Sequence, residues 1–261
     1  MLCSAPFKKI MFLDIETTSQ KEFFKELDER IQKAFIKRFK KDIETKLGIN
    51  DIDSVINTEV FDTFMDEFYP QKAPIMPELG KIVCISVGYL IDDEHNPGDF
   101  KIRLKSFKNE DEVELLKEFS TTLSKYLSSS DVKNPDTYYF CGHNALNFDF
   151  RFICKRMLFN WMPIPTAFNN VDRKPWEISN LLDTQKIWNM GVFESTSVSL
   201  DLLSAGFEVE SPKDDIDGSQ VYYVYYKEKG LDRIAQYCEK DVLALARTYL
   251  AMNGSRSKIN V

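Results

Sequence analysis

The sequence predicts a mixed α/β fold, and three observations carry that expectation. Short apolar runs rich in β-branched residues come early, at 10–17, 81–91 and 100–107. Helical and extended patterns then alternate to the end of the chain. The composition, 43% hydrophobic and 29% charged with only 10 Gly and 10 Pro, excludes a disordered chain. At 261 residues, one large domain, or one domain carrying an insertion, can bury a full core without disulfides or a structural metal.

Residues 10–17 (IMFLDIET) form a mostly apolar run interrupted by two acids, which predicts a buried strand with a special role. Residues 81–91 (KIVCISVGYLI) and 100–107 (FKIRLKSF) predict a hairpin closed by a loop over 93–99. Val113, Leu116, Phe119 and Leu123 repeat at helical spacing within 111–127. A strand over 137–142 (TYYFCG) ends at a glycine and leads into a helix over 147–159, stopped by Pro163 and Pro165. Residues 181–188 predict a short strand or a strand-to-helix passage. From Ser199 onward the pattern is helical, broken near 206–218 and at Gly230.

Residues 19–75 interrupt this plan and predict an inserted helical subdomain. Leu27, Ile31, Phe35, Phe39 and Ile43 fall on one helical stripe that starts from Phe24. Arg30, Lys33, Lys37 and Lys40 fall on another, followed by an acidic stretch over 51–67. The basic stripe suits an ordinary solvated face or a phosphate-contacting strip.

With 34 basic against 41 acidic residues the chain carries net charge −7, which argues against a non-specific nucleic-acid coat. An enzyme that holds a short stretch of nucleic acid through metals stays compatible with it. Cys3, Cys84, Cys141, Cys154 and Cys238 form no CxxC pair and no even framework, so a reducing compartment is expected. Cys3 precedes any signal-type apolar region, and no run approaches a membrane span. A soluble, cytoplasmic protein with no membrane partner is the expectation.

Asp14 and Glu16 stand two apart on an apolar strand, so both carboxylates leave one face while Ile15 enters the other. Two such charges repel unless a cation or proton lies between them. Asp149 falls at the start of a helix, where a carboxylate also suits the helix dipole. Tyr237 and Asp241 stand at i and i+4, on one helix face, which suits a core tyrosine on a surface helix equally well. Taken together, three carboxylate sites and a tyrosine fit a two-metal phosphoryl-transfer centre. Oxygen ligands with no convergent Cys or His favour two divalent ions of the hard kind, Mg²⁺ or Mn²⁺.

Phe12–Thr17 (FLDIET), Asn144–Asp149 (NALNFD) and Tyr237–Asp241 (YCEKD) resemble the three exonuclease motifs of the DEDD superfamily. The tyrosine places the resemblance with the Tyr-bearing (DEDDy) subgroup, which includes the 3′→5′ proofreading domains of family B DNA polymerases. PELGKIVCISVG (77–88), DDIDGSQV (214–221) and YCEKDVLALA (237–246) are similar to stand-alone predicted exonucleases related to those polymerases. Gln236 stands where the His-bearing subgroup has its histidine. The resemblance covers most of the chain outside 19–75.

It implies a ribonuclease H-like fold, a mixed five-stranded sheet with one antiparallel strand, flanked by helices. It implies a 3′→5′ exonuclease over 1–261 that releases nucleoside 5′-monophosphates from single-stranded or frayed 3′ ends, DNA favoured. Asp14 would bridge two metals, Glu16 and Asp241 would complete one site, and Asp149 would hold the second. Tyr237 would orient the attacking water, since a phenol of ordinary pKa near 10 is a poor base at neutral pH. Asn144 and Phe148 resemble substrate-contacting positions, although Phe148 suits helix packing equally. Thr17 and Thr18, where the first strand emerges, suit contacts to the terminal nucleotide or a plain strand end, and Trp176 in the RKPW loop suits base stacking or a ring pinned into the core. Tyr222, Tyr223, Tyr225 and Tyr226 suit a stacking platform or a core. A catalytically silent nucleic-acid-binding module and a small-nucleotide phosphodiesterase are the alternatives.

Overall fold

The computed structural model describes residues 5–128, 138–174, 177–190, 192, 197–210 and 215–261. The chain divides into two compact units, Thr17–Lys81 and the remainder. The larger unit is built on a six-stranded mixed sheet. Its strands are β1 (Ile10–Ser19), β2 (Gly80–Asp92), β3 (Phe100–Lys108), β4 (Tyr139–Gly142), β5 (Leu181–Asp183) and β6 (Ile259–Asn260), in the order β5-β4-β1-β2-β3-β6. β1 and β4 run parallel with Phe12 opposite Cys141, and β4 and β5 run parallel with Gly142 opposite Asp183. β2 and β3 form the expected antiparallel hairpin, closed where Asp93 N donates to Asp99 O at 3.1 Å. The sixth strand departs from the expected five. β6 is two residues long and exists only through parallel pairing with β3, Phe100 opposite Ile259, so no local periodicity announces it.

The period-2 alternation of β1 sorts its side chains between two cores. Met11, Leu13 and Ile15 pack with α3 (Glu112–Leu127) and α4 (Asp149–Phe159) through Leu116, Phe119, Phe150 and Ile153. Ile10 and Phe12 face α8 (Leu231–Met252) and meet Val242, Leu245 and Tyr249. The sheet is therefore covered by helices on both faces, and the even-numbered residues of β1 look toward α8. Gly88 of β2 permits that packing, since a Cβ there would stand 2.9 Å from Val242 Cγ1. The remaining helices of this unit are short: α5 (Thr184–Trp188), α6 (Leu200–Gly206) and α7 (Val221–Tyr226). In α7 Tyr225 is buried, Tyr226 packs against the same core and Tyr223 is exposed, so the tyrosine run serves the core rather than presenting all four rings.

A buried ion pair ties α4 to the sheet. Glu112 accepts from Ile82 N at 2.7 Å, from Arg156 Nε at 2.9 Å and Nη2 at 2.6 Å, and from Asn160 Nδ2 at 3.0 Å.

The smaller unit contains α1 (Glu29–Leu47) and α2 (Glu59–Lys72), with Phe24, Phe35, Ile43, Phe61, Met65, Phe68 and Tyr69 in its core. The helical run expected from Phe24 begins instead at Glu29, because the Asp28 carboxylate caps Arg30 N at 2.9 Å. The phase of Leu27 is thus separate from the helix, and Ile31 lies 38% exposed rather than on the apolar stripe. Arg30, Lys33, Lys37 and Lys40 are exposed; Lys33 meets Glu29 at 2.6 Å and Lys40 meets Glu44 at 3.6 Å, one turn away. Among the described residues, no helix is long and apolar enough to cross a membrane.

Candidate active site

Three elements of the larger unit converge at the Asp14 end of β1. Asp14 and Glu16 leave the strand on the α8 side, and Asp14 is only partly exposed while Glu16 is buried. From α8 come Tyr237, Cys238 and Asp241, all buried. From the start of α4 comes Asp149, also buried, whose Oδ1 accepts from Ile15 N at 3.2 Å. That bond fixes the first-turn carboxylate to β1 beside the acidic pair, so Asp149 is more than a partner of the helix dipole.

A sulfur enters the cluster as well, contrary to the expectation of no convergent cysteine. Cys238 Sγ lies 3.5 Å from both the carbonyl oxygen and Oδ2 of Asp14. One ligand atom each from Asp14, Glu16 and Cys238 lie within 4.8 Å of one another. Cys238 is the residue after Tyr237, so the helical face that delivers the phenol also brings the thiol toward the strand. Burial pushes that thiol up, which keeps it protonated and able to donate to Asp14.

The electrostatics follow from crowding. Burial, and then the charges of Asp241, Asp149 and Glu16, hold the Asp14 carboxyl well above its ordinary value. Burial and the charge of Asp241 do the same to Glu16. Burial, opposed by bonds from backbone N–H groups, leaves Asp149 pushed up to about 7. Tyr237 is raised too, by burial first and then by Asp241, so it stays a phenol. Among the described residues no ion pair joins Asp14, Glu16 or Asp149 to a base. Buried oxygens that raise one another's proton affinity and have no fixed counter-charge fit divalent cations.

A dependence on pH follows. Carboxyls whose folded pKa exceeds the unfolded value contribute most stability below that unfolded value, 3.8 for Asp149, and lose it as pH rises through about 7. In chelator, the thermal midpoint is therefore expected to fall between pH 4 and 8, and to fall less in Asp14→Ala. A midpoint rising over that interval would contradict this electrostatic description.

The loop before α4 is held by Asp183, which with Thr184 follows an apolar run at a strand end, a position that suits a place near the site without making it a ligand. Asp183, 2% exposed, caps α5 through Gln185 N at 3.0 Å and also accepts from Asn144 N at 2.9 Å and Leu146 N at 3.0 Å. With its oxygens so engaged, Asp183 positions the loop that carries Asn144 rather than adding a metal ligand. Its signal was an Asp at a strand end before Thr184, which marks a helix cap. His143 sits beside it, Nδ1 2.9 Å from Thr184 Oγ1 and Nε2 2.8 Å from Val198 O. Burial lowers its pKa, so the neutral ring donates from Nε2 and accepts at Nδ1. Gly142 turns this loop sharply, and a Cβ there would stand 2.3 Å from Ala145 Cβ.

Of the expected substrate contacts, Asn144 adopts a left-handed φ of 58° and its Oδ1 accepts from Asn147 Nδ2 at 2.8 Å. Phe148 is half-buried, its ring centroid 5.2 Å from that of Phe152. Thr17 and Thr18 continue β1 and are buried, and among the described residues Thr18 Oγ1 has no hydrogen-bond partner. Trp176 lies outside the described residues.

This fold and this cluster define a class. The RNase_H superfamily model matches residues 73–253, and the chain belongs to that superfamily, a membership that fits nuclease activity. Among solved structures the chain is similar to the family B DNA polymerase from the hyperthermophilic archaeon Pyrobaculum calidifontis, at 14% identity and a TM-score of 0.51. The alignment covers 96% of this chain and 26% of the polymerase chain, and at that identity the likeness is one of fold. No curated protein matches.

Proposed function

We propose that the chain is a metal-dependent 3′→5′ exonuclease of the Tyr-bearing DEDD type, with 19–75 an inserted subdomain. Its substrate is a single-stranded or frayed 3′ end, DNA favoured. The observation that carries the reading is the convergence of Asp14, Glu16, Asp149 and Asp241, from one strand and two helices, into one largely buried cluster, with no basic partner on the first three among the described residues. Superfamily membership and the likeness to a family B DNA polymerase support it.

In this reading the four carboxylates hold two divalent cations, Mg²⁺ or Mn²⁺. Bound there, such ions lower the pKa of an attacking water and neutralise charge on the departing oxygen. Asp149, fixed to Ile15 N, cannot swing away from β1. Tyr237, held well above its ordinary pKa by burial and then by Asp241, keeps its proton, and its hydroxyl orients the water by hydrogen bonding. Thr17, Thr18, Asn144, Phe148 and Trp176 are the proposed contacts to the terminal nucleotides.

Removing only the hydroxyl with Tyr237→Phe is expected to slow single-turnover cleavage about 10²-fold, the low end for a positioned proton-handling group. Unchanged cleavage with lowered stability would make Tyr237 a core residue only. The substrate class is tested by comparing an oligonucleotide with a chromogenic phosphodiester, each with Mn²⁺ and with chelator. Metal-dependent turnover of the oligonucleotide is expected. Turnover of the small ester alone would favour a nucleotide phosphodiesterase, and oligonucleotide binding without turnover a silent module.

A further inference from the structure

The far end of α4 carries an apolar and basic strip that the chemistry above does not use. Leu158, Phe159 and Trp161 are 58%, 53% and 95% exposed. Arg151 and Lys155 lie about two turns and one turn before Leu158 and Phe159, exposed and without an ion pair among the described residues. At 100° per residue, Arg151, Lys155, Leu158 and Phe159 occupy one stripe of the helix. The Arg156 guanidinium sits 5.4 Å from the Phe159 ring centroid and holds it in place.

Trp161 is the telling residue. α4 ends with Met162 N donating to Met157 O at 2.9 Å and Trp161 N to Leu158 O at 3.1 Å, around Asn160 as C-cap. These bonds form a Schellman motif, which places Trp161 at the left-handed position that glycine ordinarily fills, and its φ is 56°. A bulky residue is strained there, and an indole held in water gains nothing from burial. Neither feature favours the fold of the chain alone, and both are the pattern of a binding surface.

We infer that the outer face of α4 and Trp161 form a single-stranded nucleic-acid subsite. Arg151 and Lys155 contact backbone phosphates, and Trp161 and Phe159 stack on bases upstream of the cleaved end. The charge decides among occupants: two unpaired cations interleaved with aromatic rings, in a chain of net charge −7, complement a polyanion bearing π faces. Position agrees, because α4 begins at Asp149 and its 11 residues extend about 16 Å, room for a few nucleotides beyond the reacting one. The inference rests on the nuclease reading and names where that enzyme holds its strand.

The test compares Trp161→Gly, Trp161→Phe and the double variant Arg151→Gln/Lys155→Gln, each on an Asp14→Ala background so that the strand survives. Affinity for a single-stranded oligonucleotide, its salt dependence and the thermal midpoint are measured with Mg²⁺. Trp161→Gly suits the left-handed position, so its midpoint is expected unchanged or higher while affinity drops roughly 5- to 150-fold. Trp161→Phe is expected to retain most of the affinity. The double variant is expected to flatten the slope of log affinity against log salt by about 1.4, two phosphates' worth. In chains with Asp14 intact, cleavage of a dinucleotide is expected to be unchanged by any of them. Wild-type affinity in Trp161→Gly, with the parent chain binding normally, overturns the subsite and leaves the nuclease reading standing. A midpoint that falls together with affinity assigns Trp161 a structural role and overturns it too. Loss of self-association in Trp161→Gly with unaltered oligonucleotide binding gives the patch to a second copy of the chain. No binding or cleavage by the parent chain overturns both readings.

Discussion

Asp14→Ala is expected to abolish cleavage, by at least about 10³-fold, while leaving the fold intact. Metal-ion catalysis supplies several kcal/mol of transition-state stabilisation, and about 1.4 kcal/mol corresponds to each tenfold in rate. Asp14 stands where the charges of Asp241, Asp149 and Glu16 all act on one carboxyl, so its loss dismantles the proposed cation site more completely than any neighbour's. The same substitution removes a buried repulsion. In chelator the variant is therefore expected to melt higher than wild type near neutral pH, the reverse of an ordinary buried truncation. Higher stability together with lost activity is the signature of a charge kept for chemistry. Lost activity with a lower midpoint would instead make Asp14 a structural acid whose removal unfolds the site.

Glu112→Ala is expected to destabilise the chain by roughly 3–5 kcal/mol, because it strands a buried guanidinium. Four donors, from Ile82, Arg156 and Asn160, converge on this one carboxylate. For a chain of this size such a loss lowers the thermal midpoint by roughly 6–20 °C. Glu112→Gln retains an acceptor for Ile82 N and is expected to lose less. Chemical denaturation of the three proteins measures this, and a loss below about 1 kcal/mol for Glu112→Ala would show that the pair is solvated. The pair also has a place in the function. Arg156 sits two turns along α4 from Asp149, so Glu112 anchors the helix that presents one of the four carboxylates.

The sequence disclosed elements that satisfy themselves locally. β1, β2 and β3 showed as apolar runs, α3 as helical repetition of Leu116, Phe119 and Leu123, and the β2–β3 hairpin by the turn residues between its strands. What stayed hidden depends on distant partners. β6 is a strand only because Phe100 pairs with Ile259. α1 starts later than its apolar repeat suggests, because the apolar residues before it lie in a separate turn, Phe24–Glu26, and Asp28 resets the helix.

The same distinction runs through the candidate site. Asp14 and Glu16 share a face by strand period, and Tyr237 and Asp241 share one by helix period, so both pairs were visible from spacing. The bond from Ile15 N to Asp149, the approach of Cys238 to Asp14 and the hold of Asp183 on the Asn144 loop arise only when α4, α5 and α8 dock on the sheet. Trp161 was concealed by a different route, since a tryptophan is not the residue expected at a left-handed helix end.

The central claim is that this carboxylate cluster removes nucleotides from a 3′ end. Its most direct test is a time course on a single-stranded oligonucleotide labelled at its 5′ end, with Mg²⁺ or Mn²⁺, run beside the same strand labelled at its 3′ end. The 5′-labelled strand is expected to shorten one nucleotide at a time, the 3′ label to leave at once as a mononucleotide 5′-phosphate, and chelator to stop both. Internal fragments at early times, loss of the 5′ label first, or undiminished cleavage in chelator would contradict the account.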